Sequence, residues 1–213
     1  MVANEYVKPQ AVRDAIARAG DMVVWVADNV DGAKLPIGDD AKNNKRVHLG
    51  SATLHAALEH ANSVAILCEE GCVGSASALL RPLMDAFMRG LWLIRRASDE
   101  EVDAAGRDKF PGTGDLLGAI EGLEPYRGNF WSGISERTRK AMHSFTHGGI
   151  RQTIARLSSD GVGAIDDTEH ALDALRIATT LGYLCAVEFS IIVDNRALFN
   201  EAWRRATSTL EQS

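Results

Sequence analysis

Cysteine is scarce in this chain: Cys68, Cys72 and Cys185 are the only three in 213 residues. An odd number cannot pair completely, and all three fall inside apolar helical patterns. Buried free thiols in a reducing compartment are therefore expected, not a disulfide scaffold. Excess positive charge is also missing. The formal charge is -6 and the pI near 5.5, which excludes a broad basic face for sequence-blind DNA binding. A small basic pocket acting on one phosphate remains compatible with that total. The first residues, Met1-Val2-Ala3-Asn4-Glu5-Tyr6, lack the basic and apolar regions of a secretory signal. No apolar run reaches about 18 residues, so no membrane-spanning helix is expected. These absences point to a cytoplasmic protein without a membrane partner.

Cofactor signatures are absent as well. The glycine pairs Gly112-Thr113-Gly114 and Gly161-Val162-Gly163 do not follow strands, so no nucleotide-cradling loop is indicated. His143 and His147 have the spacing of a helical zinc pair, as do His55 and Glu59. Ser144 stands where a zinc protease carries its glutamate, and no histidine lies near Cys68 and Cys72 in sequence. No metal and no cofactor are expected. There is no internal repeat and no low-complexity tract.

What the chain does contain is helical periodicity. With 46% apolar and 24% charged residues, it has the composition of an ordinary globular domain. Val12, Ile16, Ala19, Val23, Val26 and Val30 recur every three or four residues, predicting a helix over about residues 10–30. Val23-Val24-Trp25-Val26 fits that period as well as it fits a strand. Asp31 to Asn44 reads as a loop. A second helix is predicted from about Ser51 to Glu70, with Gly71 and Gly74 marking its turn. The third, about Ser75 to Ala97, is apolar around most of its circumference and should lie centrally, with Pro82 kinking it or displacing its start.

Ser98-Asp99-Glu100-Glu101 is a capping box for a short helix that Phe110-Pro111-Gly112 breaks. Shorter helices follow at about Asp115 to Glu121, about Ser132 to His147 and about Ile150 to Leu157. Asp166-Asp167-Thr168 caps a long helix to about Asp194, and Arg196 to Leu210 forms the last, with Trp203-Arg204-Arg205 as its cationic end. The expected fold is all-α: one domain over residues 1–213, a bundle of about five long helices plus short ones.

Two constellations carry chemistry. Within Arg137-Thr138-Arg139-Lys140-Ala141-Met142-His143-Ser144-Phe145-Thr146-His147-Gly148-Gly149, Arg139, His143 and His147 are spaced four apart and form one helical stripe. Ile134, Thr138, Ala141 and Phe145 cluster on nearly the opposite face. If that face enters the core, the histidine stripe faces solvent, a cleft or a second subunit. Histidines beside fixed positive charge suit proton transfer or phosphate handling. The second constellation is Arg81, Asp85 and Arg89, again four apart, on the apolar third helix. Buried charge must be paired, so this stripe is either an intrahelical ladder or the lining of a polar cavity. In the cavity, Asp85 would orient Arg81 or Arg89 towards an anionic ligand.

The helix Leu79-Leu80-Arg81-Pro82-Leu83-Met84-Asp85-Ala86-Phe87-Met88-Arg89-Gly90-Leu91-Trp92, with the later His143-x-Phe145-x-His147-Gly148-Gly149 end, resembles a family of bacterial helical proteins of unknown function. The resemblance runs from about Leu54 to Tyr183 and implies an all-helical fold. More distantly, the chain is similar to HEPN (higher eukaryotes and prokaryotes nucleotide-binding) domains, in which an arginine precedes a histidine by four to six residues. Arg137 and His143 have that spacing. Thr138 replaces the usual Asn or Asp after the arginine, and His147 is an additional histidine. This resemblance implies a homodimer that binds RNA or another phosphate-containing ligand, and a metal-independent ribonuclease of a toxin or phage-defence type. Arg137, Arg139, His143 and His147 would be its catalytic residues, with Arg81, Asp85 and Arg89 binding ligand. The alternative is a non-enzymatic helical interaction or regulatory module.

Overall fold

The computed structural model describes residues 8–127, 150–154, 156–158, 161–162 and 168–211. The fold is all-α. Eight helices occur among the described residues: α1 (Gln10–Val30), α2 (Ala41–Glu69), α3 (Val73–Arg95), α4 (Asp99–Ala105), α5 (Thr113–Ile120), α6 (Ile150–Ile154), α7 (Thr168–Ile192) and α8 (Arg196–Glu211).

Local chemistry sets several of the boundaries. The Asp40 carboxylate accepts from the Lys42 and Asn43 amides at 3.0 and 3.2 Å, capping α2. This starts α2 ten residues before the expected Ser51, inside what reads as a loop. The additional turns are held from outside: Lys42 and Arg46 pair with Asp99 at 3.2 and 3.0 Å, Lys45 pairs with Asp103, and Val47 and Gly50 are buried. At the other end Gly71 adopts φ +74°, and the Cys72 and Gly71 amides return to the Leu67 and Cys68 carbonyls at 2.7 and 3.2 Å. That is a Schellman closure, open to glycine because without a Cβ it enters the left-handed region at no steric penalty. Gly74, expected in the same turn, instead lies buried in the first turn of α3.

The capping box of α4 forms as expected. The Glu101 amide donates to Ser98 Oγ at 3.3 Å, and the Ser98 amide to Glu101 Oε2 at 2.6 Å. Pro82 lies within α3 and does not displace its start, which is Val73. Helix α6 ends at Ile154, short of the predicted Leu157, which instead pairs with Val162 in a two-residue antiparallel ladder, β1 (Leu157–Ser158) and β2 (Gly161–Val162). Arg204 and Arg205 are not a cationic helix end: α8 continues to Glu211, and both arginines pair with Glu201 at 2.6 and 2.7 Å.

One continuous apolar core joins α1 to α5, α7 and α8, and α7 occupies its centre. Helix α7 packs against α1, α2, α3 and α8, while α2 lies along α3. Every residue from Ala178 to Ser190 is buried. An 18-residue window of α7 has mean hydropathy 1.4, enough by length and composition for a membrane span, but 78% of that window is buried among the chain's own helices. The continuous hydropathy is thus accounted for by packing on all sides.

Small residues allow this close approach. A Cβ on Gly182 would stand 2.3 Å from Met22 Sδ, and one on Gly90 2.8 Å from Leu54 Cγ and 3.2 Å from the Leu54 backbone nitrogen. Methionine can move aside, whereas branched Leu54 and its backbone cannot move cheaply. Gly90→Ala should therefore lower stability by about 1–3 kcal/mol despite alanine's better helix propensity. Gly182→Ala should cost less. Urea denaturation of both variants checks this order, and a Gly90→Ala chain as stable as the wild type would show that α2 and α3 can separate without penalty.

Candidate functional site

Helix α3 turns most of its surface into the core, with Leu83, Met84, Phe87, Met88 and Leu91 buried. The one polar stripe is Arg81, Asp85 and Arg89, which continues from the buried Ser77 one turn earlier. The intrahelical ladder forms only in its first half. Arg81 Nε donates to Asp85 Oδ2 at 2.9 Å, and Arg81 Nη2 donates to Thr113 Oγ1, the first residue of α5, at 2.7 Å. The Arg81 and Asp85 side chains are each 25% exposed, so the pair is neither fully solvated nor sealed.

Arg89 does not complete the ladder. Its guanidinium carbon lies 4.5 Å from the centroid of the Phe110 ring, a cation–π contact. Trp92 packs edge-on against that ring, with centroids 6.4 Å apart. Arg89 Nε and Asp85 Oδ1 are both buried and have no hydrogen-bond partner among the described residues. Among the described residues no carboxylate forms an ion pair with Arg89, so Arg81 and Asp85 neutralise one another and one positive charge remains. Leaving a buried donor and acceptor unpaired costs about 1–3 kcal/mol each. The face thus has capacity for more hydrogen bonds than the described residues supply to it.

Arg137, Arg139, His143 and His147 lie outside the described residues. Of the expected site residues, the fold places Arg81, Asp85 and Arg89 together and adds Thr113 and Phe110. In the sequence Phe110 reads only as a helix breaker and Thr113 only as part of a glycine pair; neither carries a local signal of its partner on α3. Among the described residues, no three metal-ligating side chains gather. His55 sits 3.8 Å from Asp31, exposed, and not with a third ligand. Cys68 and Cys185 are buried free thiols, but Cys72, expected to be buried too, is exposed at the α2–α3 turn. Burial pushes the Cys68 thiol up to about 11 and raises that of Cys185 further, so neither is a ready nucleophile.

A second polar cluster went unread in the sequence. Glu188 on α7 is fully buried; Tyr126 Oη donates to its Oε1 at 2.7 Å, and Arg95 Nη1 lies 3.4 and 3.3 Å from its two oxygens. Arg95 Nη2 donates to the Glu124 carbonyl at 2.8 Å. Tyr126 is itself fully buried, edge-on to Phe87 and Trp203 with centroids 6.2 Å apart in each case. A signal was present: Glu188 is the only charged residue between Arg176 and Asp194. The cluster ties α3, the turn before residue 127 and α7 into one network. Elsewhere, a cleft of about 700 Å³ between α1 and α7, lined by Asp14, Arg18, Leu172, Asp173 and Arg176 among others, shares no lining residue with either cluster.

Both polar clusters fall within residues 54–212, which match the family of unknown function DUF6988. The chain belongs to that family. The match begins at the residue from which the sequence resemblance runs and continues through α8. No curated protein and no solved structure matches this DUF6988 chain.

Burial raises the Glu188 carboxyl above the ordinary glutamate range, with Arg95 and Tyr126 opposing the effect. The folded chain therefore holds this proton more tightly than the unfolded chain does. As pH rises past about 4.3 the unfolded chain releases it first, and the wild type loses stability until the pH passes the higher folded value. Glu188→Gln has no such titration. Its stability relative to the wild type should rise with pH across that window, as measured by urea melts from about pH 4 upward. A difference independent of pH would contradict the raised pKa of Glu188.

Proposed function

We propose that this chain is a HEPN-like helical protein that binds a phosphate-containing ligand, RNA in particular, at the Arg81–Asp85–Arg89 face of α3. One observation carries the reading: Arg89 keeps a buried, unpartnered Nε and no counter-charge among the described residues. A phosphate oxygen supplies both the acceptor and the negative charge, and guanidinium groups suit that geometry. Arg81, anchored to Asp85 and Thr113, adds positive potential beside it.

The spacing of Arg137 and His143 supports a cleavage step on the bound strand. His143 takes the proton of a 2′-hydroxyl, whose oxygen attacks the adjacent phosphorus as the bond to the 5′-oxygen breaks. His147 returns a proton to that departing oxygen, while Arg137 or Arg139 stabilises the charge on the phosphoryl oxygens. The HEPN likeness supports a homodimer as the working form.

A second reading, a non-enzymatic interaction module, is favoured by a different observation. Ile150, Ile154, Leu157 and Val162 are 69%, 56%, 59% and 79% exposed, and apolar side chains grouped in one short segment suit a protein contact.

Fluorescence anisotropy with labelled single-stranded RNA tests the binding reading. Arg89→Gln should weaken affinity about tenfold or more while the circular dichroism spectrum is unchanged. Cleavage, followed on the same RNA in the presence of a chelator, should be lost in His143→Ala and Arg137→Ala with binding retained. Equal affinity of wild type and Arg89→Gln would remove the α3 face from the function. Binding without cleavage by the wild type would remove the cleavage step and keep the binding reading, whereas absence of RNA binding would leave the interaction module as the better account.

A further inference from the structure

We infer that Asp85 is a specificity-determining residue, which selects a ligand carrying a hydroxyl beside its phosphate, the grouping found in a ribonucleotide. The inference rests on the phosphate reading of Arg89 and adds a second requirement to it. Asp85 uses Oδ2 for Arg81 at 2.9 Å, while Oδ1 is buried and receives no donor among the described residues. An ionised carboxylate only accepts hydrogen bonds. A phosphate oxygen placed against Oδ1 would meet repulsion, so the part of the ligand facing Asp85 must donate.

Arg89 makes the opposite demand one helical turn away, since its Nε needs an acceptor. Residues four apart on a helix have Cβ atoms about 5–6 Å apart. One small ligand can therefore supply both the missing donor and the missing acceptor. In a ribonucleoside 3′-phosphate the 2′-hydroxyl and the phosphate stand on adjacent ring carbons, so one molecule offers a donor and an acceptor side by side. A deoxyribonucleotide meets the demand of Arg89 and leaves Asp85 unpaired.

The carboxylate is oriented before any ligand arrives. Arg81 is held from two sides, by Asp85 on its own helix and by Thr113 Oγ1 on α5 at 2.7 Å. A preset acceptor of this kind discriminates through the cost of leaving it unmatched. Both unpaired atoms are covered by protein, and the group over Arg89 is Phe110, in the irregular stretch between α4 and α5. Ligand entry accordingly involves displacement of Phe110.

Isothermal titration of the full chain with adenosine 3′-monophosphate, 2′-deoxyadenosine 3′-monophosphate and inorganic phosphate tests the assignment on the ligand side, without altering the protein. The ribonucleotide should bind about tenfold more tightly than the deoxyribonucleotide and than phosphate. In Asp85→Asn that preference should shrink towards unity, and in Arg89→Gln all three should weaken. Equal binding of the two nucleotides, with both weakened by Arg89→Gln, overturns the hydroxyl assignment and leaves the phosphate reading standing. The hydroxyl assignment also falls, with phosphate binding intact, if inorganic phosphate matches the ribonucleotide, its own hydroxyl then serving as donor. It falls likewise if Asp85→Asn keeps the preference. Absence of binding by all three probes overturns both readings together.

Discussion

Helix α7 is surrounded by protein, and that constraint governs much of the remaining structure. A helix packed by α1, α2, α3 and α8 must offer small residues where neighbours come close and must satisfy every charge internally. Ala174, Ala178, Gly182 and Ala186 meet the first demand. Glu188 imposes the second: a carboxylate without solvent access requires a cation and a donor, and Arg95 and Tyr126 supply them from α3 and the turn that precedes residue 127. Such a network contributes little net stability over an apolar replacement, yet losing one partner strands the others. It joins α3 to α7 through Arg95 and Glu188.

With most of the α3 surface committed to the core, the stripe of Arg81, Asp85 and Arg89 is turned towards α5 and the segment before it. The two polar clusters of α3 then behave in opposite ways. The Glu188 carboxylate is matched with donors from two other elements. At Arg89 and Asp85 one donor and one acceptor are left over, although Phe110 and Thr113 lie within reach of the same face. Residual polar capacity in one cluster, beside full satisfaction in the other, is the physical difference between the two. The family assignment is neutral on that distinction, because DUF6988 has no activity attached to it.

Much of the helical layout was legible from periodicity. The helices at residues 10–30 and 196–211, the capping box at Ser98 and the glycine closure at Gly71 appear where apolar spacing and cap chemistry put them. Misreadings occurred where distant contacts outweighed local signs. The first turns of α2 look like a polar loop, yet Lys42, Lys45 and Arg46 are held by Asp99 and Asp103 more than fifty residues away. Leu157 continues a helical pattern but pairs with Val162. Pro82, a helix breaker in isolation, lies inside a helix that neighbours enclose.

The same division applies to the candidate site. The spacing of Arg81, Asp85 and Arg89 determined, by itself, that the three share one face of α3, because residues four apart on a helix are neighbours whatever surrounds them. It could not determine that Asp85 pairs with Arg81 alone, that Thr113 takes the remaining reach of Arg81, or that Phe110 covers Arg89. Nor could it find Tyr126 and Arg95 for Glu188, although the isolation of that charge in an apolar helix foretold that partners were needed. Helical period encodes which side chains lie together on one element, whereas which elements meet is decided by long-range packing of the whole core, and only the tertiary structure contains that information.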